Sequence, residues 1–391
     1  MGRDGTIYLD YAATTPVLPE VWEAMRPYFT EEFGNPSSMH SPGQAGLRAV
    51  ERSREKIAAV LGCHPREIVF TSGGSESDNL AIRGAALAGP DRGNHIITTA
   101  VEHHAVGRTV SQLVERFGFS STVLPVDGHG MVDPGEVEAA IREETVLISV
   151  MYANNEVGTI EPIHQIGEIA RSHGIAFHTD AVQAGGYLDL DVERLDVDLL
   201  ALSAHKFHGP KGVGILYQRR GTPLLTWLTG GGHEDGKRAG THNVPGIVGM
   251  AAALTIAHER RETQGPRLQT LRDRLIAGVL EAIPDAEVTG HPTERMPNSA
   301  SFVVPGTTGE ALLAALDLEG IAASSGSACT AGSMDPSYVL QAMGYPEPLA
   351  VAALRFTLGV LTTEGELEET LVRLPRIVAR LRQVSVPVAG V

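Results

Sequence analysis

The sequence predicts an α/β fold: a mostly parallel central sheet, joined to a smaller α+β domain. Three observations predict it. Between about residues 66 and 220, short β-rich runs alternate with helical patterns, the signature of strand–helix–strand units. Several of those runs are nearly continuous in Val, Ile and Leu, as strands covered on both faces are. Beyond about residue 260 the texture changes to charged helical stretches around a single strand-like run. The large domain is placed at residues 15–260, and the small one at 1–14 together with 261–391.

Taken in order, the strand-like runs are Glu67–Thr71, His95–Thr99, Val146–Tyr152, Ile175–Thr179, Leu199–Ser203 and Val213–Tyr217. A helix is predicted over Ser77–Ala88. Ser75-Glu76-Ser77-Asp78 reads as a capping box before it, and Leu80, Ala81, Gly84, Leu87 and Ala88 form its apolar stripe. Another helix is predicted over Pro162–His173. In the second region the expected elements are a charged helix at His258–Ile283, a strand at Ser299–Val304 and a helix at Gly309–Leu318. The last helix, from Thr363 to about Leu381, spaces Leu367, Leu371, Leu374, Val378 and Leu381 by fours and threes, with Pro375 expected to kink it. Arg382–Val391 reads as a tail.

The 391 residues carry a formal net charge of −16, which disfavours binding to a phosphate backbone, so no nucleic-acid partner is expected. The most apolar stretch, Val244–Ala257, is too short to cross a membrane and contains Pro245, so no membrane association is expected. The first ten residues have neither a basic nor an apolar region of the secretory kind. Only two cysteines occur, Cys63 and Cys329. They exclude a disulfide scaffold or an all-cysteine metal site within one chain, and they fit a reducing, cytoplasmic setting.

Five constellations carry chemistry. Thr71-Ser72-Gly73-Gly74-Ser75-Glu76 joins a strand to a helix N-terminus. Glycine lets a backbone approach an anion closely, first-turn N–H groups point at it, and Ser75 adds a hydroxyl. The spacing matches no nucleotide-binding fingerprint, so the turn alone fits an anion site or a plain tight turn. In His178-Thr179-Asp180-Ala181-Val182-Gln183, Asp180 sits at the carboxyl end of a buried strand, where α/β proteins bind ligands. A pyridoxal phosphate enzyme needs an acid there to keep the pyridine nitrogen protonated, although a helix N-cap aspartate would look the same.

Lys206, in Ser203-Ala204-His205-Lys206-Phe207-His208, follows the next strand, 26 residues after Asp180. One strand–helix–strand excursion would bring the two to the same sheet edge, with Lys206 placed for a Schiff base. His205 and His208 gain no local carboxylate or cysteine, so no metal site is expected. Val101-Glu102-His103-His104 follows the strand His95–Thr99 and offers an imidazole to stack on a planar group or carry protons. Finally, Ser324-Ser325-Gly326-Ser327-Ala328-Cys329-Thr330 embeds a cysteine in small residues, the composition of an exposed loop. Cys329 therefore reads as the reactive thiol, whereas Cys63, in Val60-Leu61-Gly62-Cys63, reads as structural.

Together with Tyr8-Leu9-Asp10-Tyr11-Ala12-Ala13-Thr14-Thr15-Pro16, Phe33-Gly34-Asn35-Pro36-Ser37-Ser38 and Leu354-Arg355-Phe356-Thr357-Leu358-Gly359, these motifs resemble the cysteine desulfurases of the NifS/IscS type. These are class V aminotransferases with the fold of type I pyridoxal phosphate enzymes, and the resemblance runs over essentially the whole chain. It implies that Lys206 forms the Schiff base with pyridoxal 5'-phosphate, Asp180 pairs with the pyridine nitrogen, Gln183 bonds the ring hydroxyl and His103 stacks on the ring. It implies a phosphate site of Gly74, Ser75, Ser203 and His205, completed by Thr241 of a second subunit in a homodimer. It assigns the substrate carboxylate to Asn155 and Arg355, proton removal from Cα to Lys206, and proton transfer at the substrate thiol to His103. Cys329 would take the sulfur of L-cysteine as a persulfide, leaving L-alanine, and pass it to a sulfur acceptor or scaffold protein of iron–sulfur cluster assembly or thiolation. The Cys329 motif resembles the subgroup with the longer catalytic loop. The chain ends soon after the last helix, where housekeeping members carry an extension that docks the scaffold, so the acceptor stays open.

Two enzyme alternatives share Lys206 and Asp180: a selenocysteine lyase and an aminotransferase of small amino acids, most of which have no need of Cys329. A non-catalytic binding module is disfavoured by the joint presence of Lys206 and Cys329. A zinc hydrolase built on Gly232-His233-Glu234-Asp235 and Thr241-His242 lacks ligand spacing.

Overall fold

In the computed structural model, which describes residues 5–88, 93–325 and 335–385, twelve strands form three sheets. The strands are β1 (Ile7–Tyr8), β2 (Ile68–Thr71), β3 (His95–Thr99), β4 (Ser120–Leu124), β5 (Thr145–Ser149), β6 (Ala176–Asp180), β7 (Leu199–Ser203), β8 (Gly214–Gln218), β9 (Glu287–Val288), β10 (Ser299–Val303), β11 (Ile321–Ala322) and β12 (Ala353–Thr357). The main sheet has the order β2-β8-β7-β6-β5-β3-β4. The β4-β3-β5-β6-β7 run is parallel, and β8 lies antiparallel to both β7 and β2. Six of its strands are fully buried along their length, which is why several of them read as nearly continuous apolar runs. The second sheet, β12-β10-β9, is antiparallel, and β1 pairs with β11 in parallel.

The helix Val244–Ala282 ties the two regions together. Its first half buries Val244, Ile247, Met250 and Leu254 in the core around the main sheet. Its second half buries Leu268, Leu271, Leu275 and Val279 in a separate core with Phe302, Leu354 and Phe356. Val244–Ala257 and His258–Ile283 are thus one helix, which passes Pro266 without ending.

Two sequence expectations need correction. The helix after β2 spans Gly74–Ala86, its N-cap is Gly73, and no side chain caps it. Ser75 therefore lies inside the first turn, and Asp78 is buried rather than reaching back to an N-terminal amide. The last helix spans Glu364–Ser385 and runs through Pro375, so Arg382 belongs to it and not to a tail. The Arg382 guanidinium binds the Asp285 carboxylate and the Pro305 carbonyl, which holds that end down.

Candidate active site

The carboxyl ends of the parallel strands open into a cavity of about 410 Å³. Its wall includes Gly74, Ser75, His103, Asn155, Asp180, Gln183, Ser203, His205, Lys206 and Arg355, residues up to 281 positions apart in the chain. Each arrives from a strand end or the turn after it, except Asn155, which lies in the loop beyond β5, and Arg355, which lies within β12 of the second sheet.

The floor of the phosphate-like corner is the turn into helix Gly74–Ala86. Gly73 adopts φ +156° and ψ 179°, a conformation essentially restricted to glycine. A Cβ on Gly74 would stand 2.7 Å from Val182 Cγ2. With no side-chain cap at Gly73, the first-turn amides have no partner among the described residues and face outward. A neighbouring depression of about 390 Å³ shares Gly74, Ser75, Ser203 and His205 and reaches Lys211. Burial, with Lys206 and Lys211 beside it, pushes the His205 imidazole down to about 4, so the ring is neutral; its Nδ1 pairs with Thr14 Oγ1 at 3.1 Å.

Lys206 follows β7 on a single 3₁₀ turn, and its Nζ donates to the carbonyls of Ala12 and Ala13. Gln183 Nε2 donates to the same Ala12 carbonyl at 3.1 Å. Asp180 ends β6 and is 5% exposed. Its Oδ1 accepts from the Val182 amide at 2.9 Å. Burial pushes its carboxyl up, against the downward pull of His103, that amide and Lys206. His103 caps the helix His104–Phe117, its Nδ1 accepting from the Ala105 amide at 3.1 Å.

Arg355 is 2% exposed. One Nη binds Asp10 Oδ1 at 2.8 Å, the other donates to the Asn155 carbonyl, and Nε has no partner among the described residues. Asn155 Oδ1 is likewise buried without a partner among the described residues. An unsatisfied guanidinium N–H and amide oxygen at one cavity wall are groups that a polar ligand would complete.

Two predicted residues stand apart. Thr241 is exposed, outside the cavity wall, on a segment anchored by His242 Nε2 to Glu234 Oε1 at 2.6 Å. Cys329 lies outside the described residues. The chain on either side of it is tied to the site: Ser324 pairs with Arg355 through backbone hydrogen bonds, and Ser337 Oγ donates to Glu156 Oε2 at 2.6 Å. Cys63 is partly buried against the main core, and burial pushes its thiol up to about 12, the behaviour of an inert cysteine.

Sequence reasoning missed several buried acids. Asp78 lines the cavity, and Glu102 and Glu156 are buried beside groups of its wall, Glu102 near Asp78 and Glu156 near Arg355 and His103. Burial pushes Glu102 up to about 8; its Oε1 accepts from Thr99 Oγ1 and the Met151 amide, while Oε2 has no partner among the described residues. The Tyr338 hydroxyl donates to the Glu102 carbonyl at 2.7 Å, and the Tyr338 ring stacks on His104 at 4.9 Å. The signal for Asp78 was available: it stands one helical turn after Gly74 and so shares that residue's face.

Comparison with known proteins agrees with this geometry. Residues 7–370 match the family described as Aminotransferase class-V. The chain is 50% identical over 379 residues to "Cysteine desulfurase IscS" of Dictyoglomus turgidum, covering 97% of this chain and 96% of the relative. It is 49% identical to "Cysteine desulfurase" of Trichormus azollae, over 97% and 94% of the two chains. Among solved structures, a "NifS-like protein" superposes with a TM-score of 0.90 at 38% identity, over 96% of this chain and all of the other. "SspA in complex with cysteine" superposes at 0.78 and 37% identity, over 90% and 98%. A match that spans both cores and every strand bordering the cavity leaves one assignment: the chain belongs to the class V aminotransferase family.

Proposed function

We propose that the protein is a pyridoxal-phosphate-dependent cysteine desulfurase that converts L-cysteine to L-alanine and holds the sulfur on Cys329. The observation that carries the reading is the convergence of Lys206, Asp180 and Arg355 in one cavity, in a chain about half identical to cysteine desulfurases. The cavity suits the cofactor. Uncapped helix amides, a glycine whose Cβ the site would not admit, and Ser203 suit a phosphate. A buried carboxylate suits a protonated ring nitrogen.

Gly74, Ser75, Ser203 and His205 would hold the phosphate, with Thr241 of a second copy in a homodimer. Asp180 would hold the ring nitrogen, Gln183 the ring hydroxyl, and His103 the ring face. Once bound, the cofactor supplies an electron sink for charge developing at the substrate Cα. The chain's own residues do the rest. Arg355 and Asn155 orient the substrate carboxylate, Arg355 through its fork. Lys206 Nζ, which would carry the cofactor, is the base that holds the proton taken from Cα. His103 Nε2 holds the proton released from the substrate thiol. The Cys329 thiolate forms a sulfur–sulfur bond to the substrate as its carbon–sulfur bond breaks, and Cβ is then protonated to a methyl group. In this reading residues 15–260 carry the cofactor, while 1–14 and 261–391 carry Arg355 and the Cys329 loop. The persulfide would pass, in the cytoplasm, to an acceptor of iron–sulfur assembly or thiolation.

The test is paired alanine and sulfide release from L-cysteine, with reductant and pyridoxal phosphate, for wild type and Cys329→Ser. Equal products from wild type, both lost in the variant, are expected. Turnover that survives in Cys329→Ser, or alanine without sulfide, would reject Cys329 as the nucleophile and favour a lyase or aminotransferase.

A further inference from the structure

Asp78 is used by none of the roles above, yet it faces the cavity and is 1% exposed. One carboxylate oxygen of Asp78, one of Asp180 and a ring nitrogen of His103 all lie within 4.8 Å of one another. On its other side Asp78 Oδ1 stands 3.5 Å from His178 Nε2, and neither atom has a hydrogen-bond partner among the described residues. His178, two residues before Asp180 on β6, is fully buried, with Nδ1 on Ser149 Oγ at 2.9 Å. Burial pushes that imidazole down to about 3, so it offers Asp78 no positive charge.

Two carboxylates this close and this buried do not both ionise. The surroundings decide which one keeps the proton. Asp180 has the Val182 amide and the fields of His103 and Lys206, all favouring its anion. Asp78 has burial and the charge of Asp180, both opposing its anion, and Glu102 adds to them once it is ionised. A ring-nitrogen cation would add a further partner for Asp180.

We propose that Asp78 is a positioning residue that keeps a proton in the working enzyme and so confines the negative charge of the pair to Asp180. Its O–H then points into the space shared by Asp180 and His178, and Asp180 is left as the sole anion against the ring nitrogen. The proposal rests on the reading of the cavity as a pyridoxal phosphate site.

The test compares wild-type holoenzyme with Asp78→Asn and Asp78→Ala. The readouts are cofactor affinity and the visible absorbance of the bound cofactor as a function of pH. Asp78→Asn is neutral, has the same shape and still donates. It is expected to keep the wild-type affinity and titration midpoint. Asp78→Ala is expected to move the midpoint and to weaken cofactor binding about tenfold, the cost of one buried hydrogen bond. Asn as damaging as Ala, or Ala indistinguishable from wild type, would overturn the proposal. Should the variants fail to fold, infrared spectra of wild-type holoenzyme with ¹³C-labelled aspartate decide. A protonated aspartic acid at neutral pH supports the proposal, and its absence overturns it. A wild type that takes up no pyridoxal phosphate would instead remove the underlying reading of the cavity.

Discussion

Arg54→Met should destabilise the fold by about 3–5 kcal/mol, the usual cost of stripping one partner from a buried ion pair. Glu234 is buried on a segment where both it and Asp235 adopt positive φ, 51° and 52°, an uncommon backbone for non-glycine residues. What holds it there is a closed set of donors. Arg54 grips both carboxylate oxygens at 2.9 and 2.8 Å, and the Phe70 amide and His242 Nε2 add bonds of 2.8 and 2.6 Å. Burial alone would raise the Glu234 carboxyl, but His242 and Arg54 outweigh it and bring it down to about 2 from 4.5. At 1.36 kcal/mol per unit that depression is worth about 3 kcal/mol. Two charge-assisted bonds at roughly 1.5–3 kcal/mol each give a similar figure. The sign follows from linkage: a depressed carboxylate contributes in full above pH 4.5, and its contribution is lost as pH falls from there through about 2. Urea unfolding, read as a midpoint shift at unchanged slope, measures the loss. Arg54→Met/Glu234→Leu should recover much of it, because no charge is then stranded. A loss under about 1 kcal/mol in the single variant, or a double variant no more stable than the single, would refute the account.

Lys206→Ala should abolish the covalent link to the cofactor: after borohydride reduction, mass spectrometry should find the cofactor's mass retained by wild type and missing from the variant. Alanine formation should fall at least about 10²–10⁴-fold with the loss of the base. Arg355→Lys should raise KM for cysteine roughly 10- to 100-fold by losing the bidentate fork, with the cofactor spectrum unchanged. A KM within twofold of wild type would remove Arg355 from substrate binding.

What the sequence made legible were the elements with one dominant force. The buried strands of the main sheet announce themselves because both faces are apolar. Lys206 stands out because a lysine at the end of such a strand has few bland uses, whereas Asp180 alone passes equally for a helix N-cap and gains its meaning from Lys206, 26 residues on. β4 escaped notice because it is an edge strand, Ser120–Leu124, whose first four residues are only partly buried or exposed. Asp78 escaped because Ser-Glu-Ser-Asp is locally a capping pattern. The tertiary fold overrides that pattern by placing helix Gly74–Ala86 across the main sheet, with Asp78 against His178. Local propensity cannot see a partner 100 residues away. Arg355 was reached only through resemblance: within Leu354-Arg355-Phe356 it sits on a strand buried along its whole length, and nothing local says that Asp10 waits opposite.

The acids that sequence reasoning passed over bear on whether an anionic cofactor can enter at all. With Asp10, Asp78, Glu102, Glu156 and Asp180 all ionised, the site would hold more negative charge than Lys206 and Arg355 could balance, and a phosphate would be repelled. Burial changes that balance. It pushes Asp78, Glu102 and Glu156 up, Glu102 to about 8, while Asp10 is paired directly with Arg355. Less negative charge then bears on the cavity, while Lys206 and the uncapped helix amides add positive field to it. Glu102 also sets an upper limit: as pH rises through about 8 it ionises and pushes against Asp180 and against any anion in the cavity. Cofactor affinity should therefore weaken on the alkaline side, and Glu102→Gln, which cannot ionise, should flatten that limb while leaving affinity at neutral pH unchanged. A limb that persists in Glu102→Gln would assign the alkaline loss to another group.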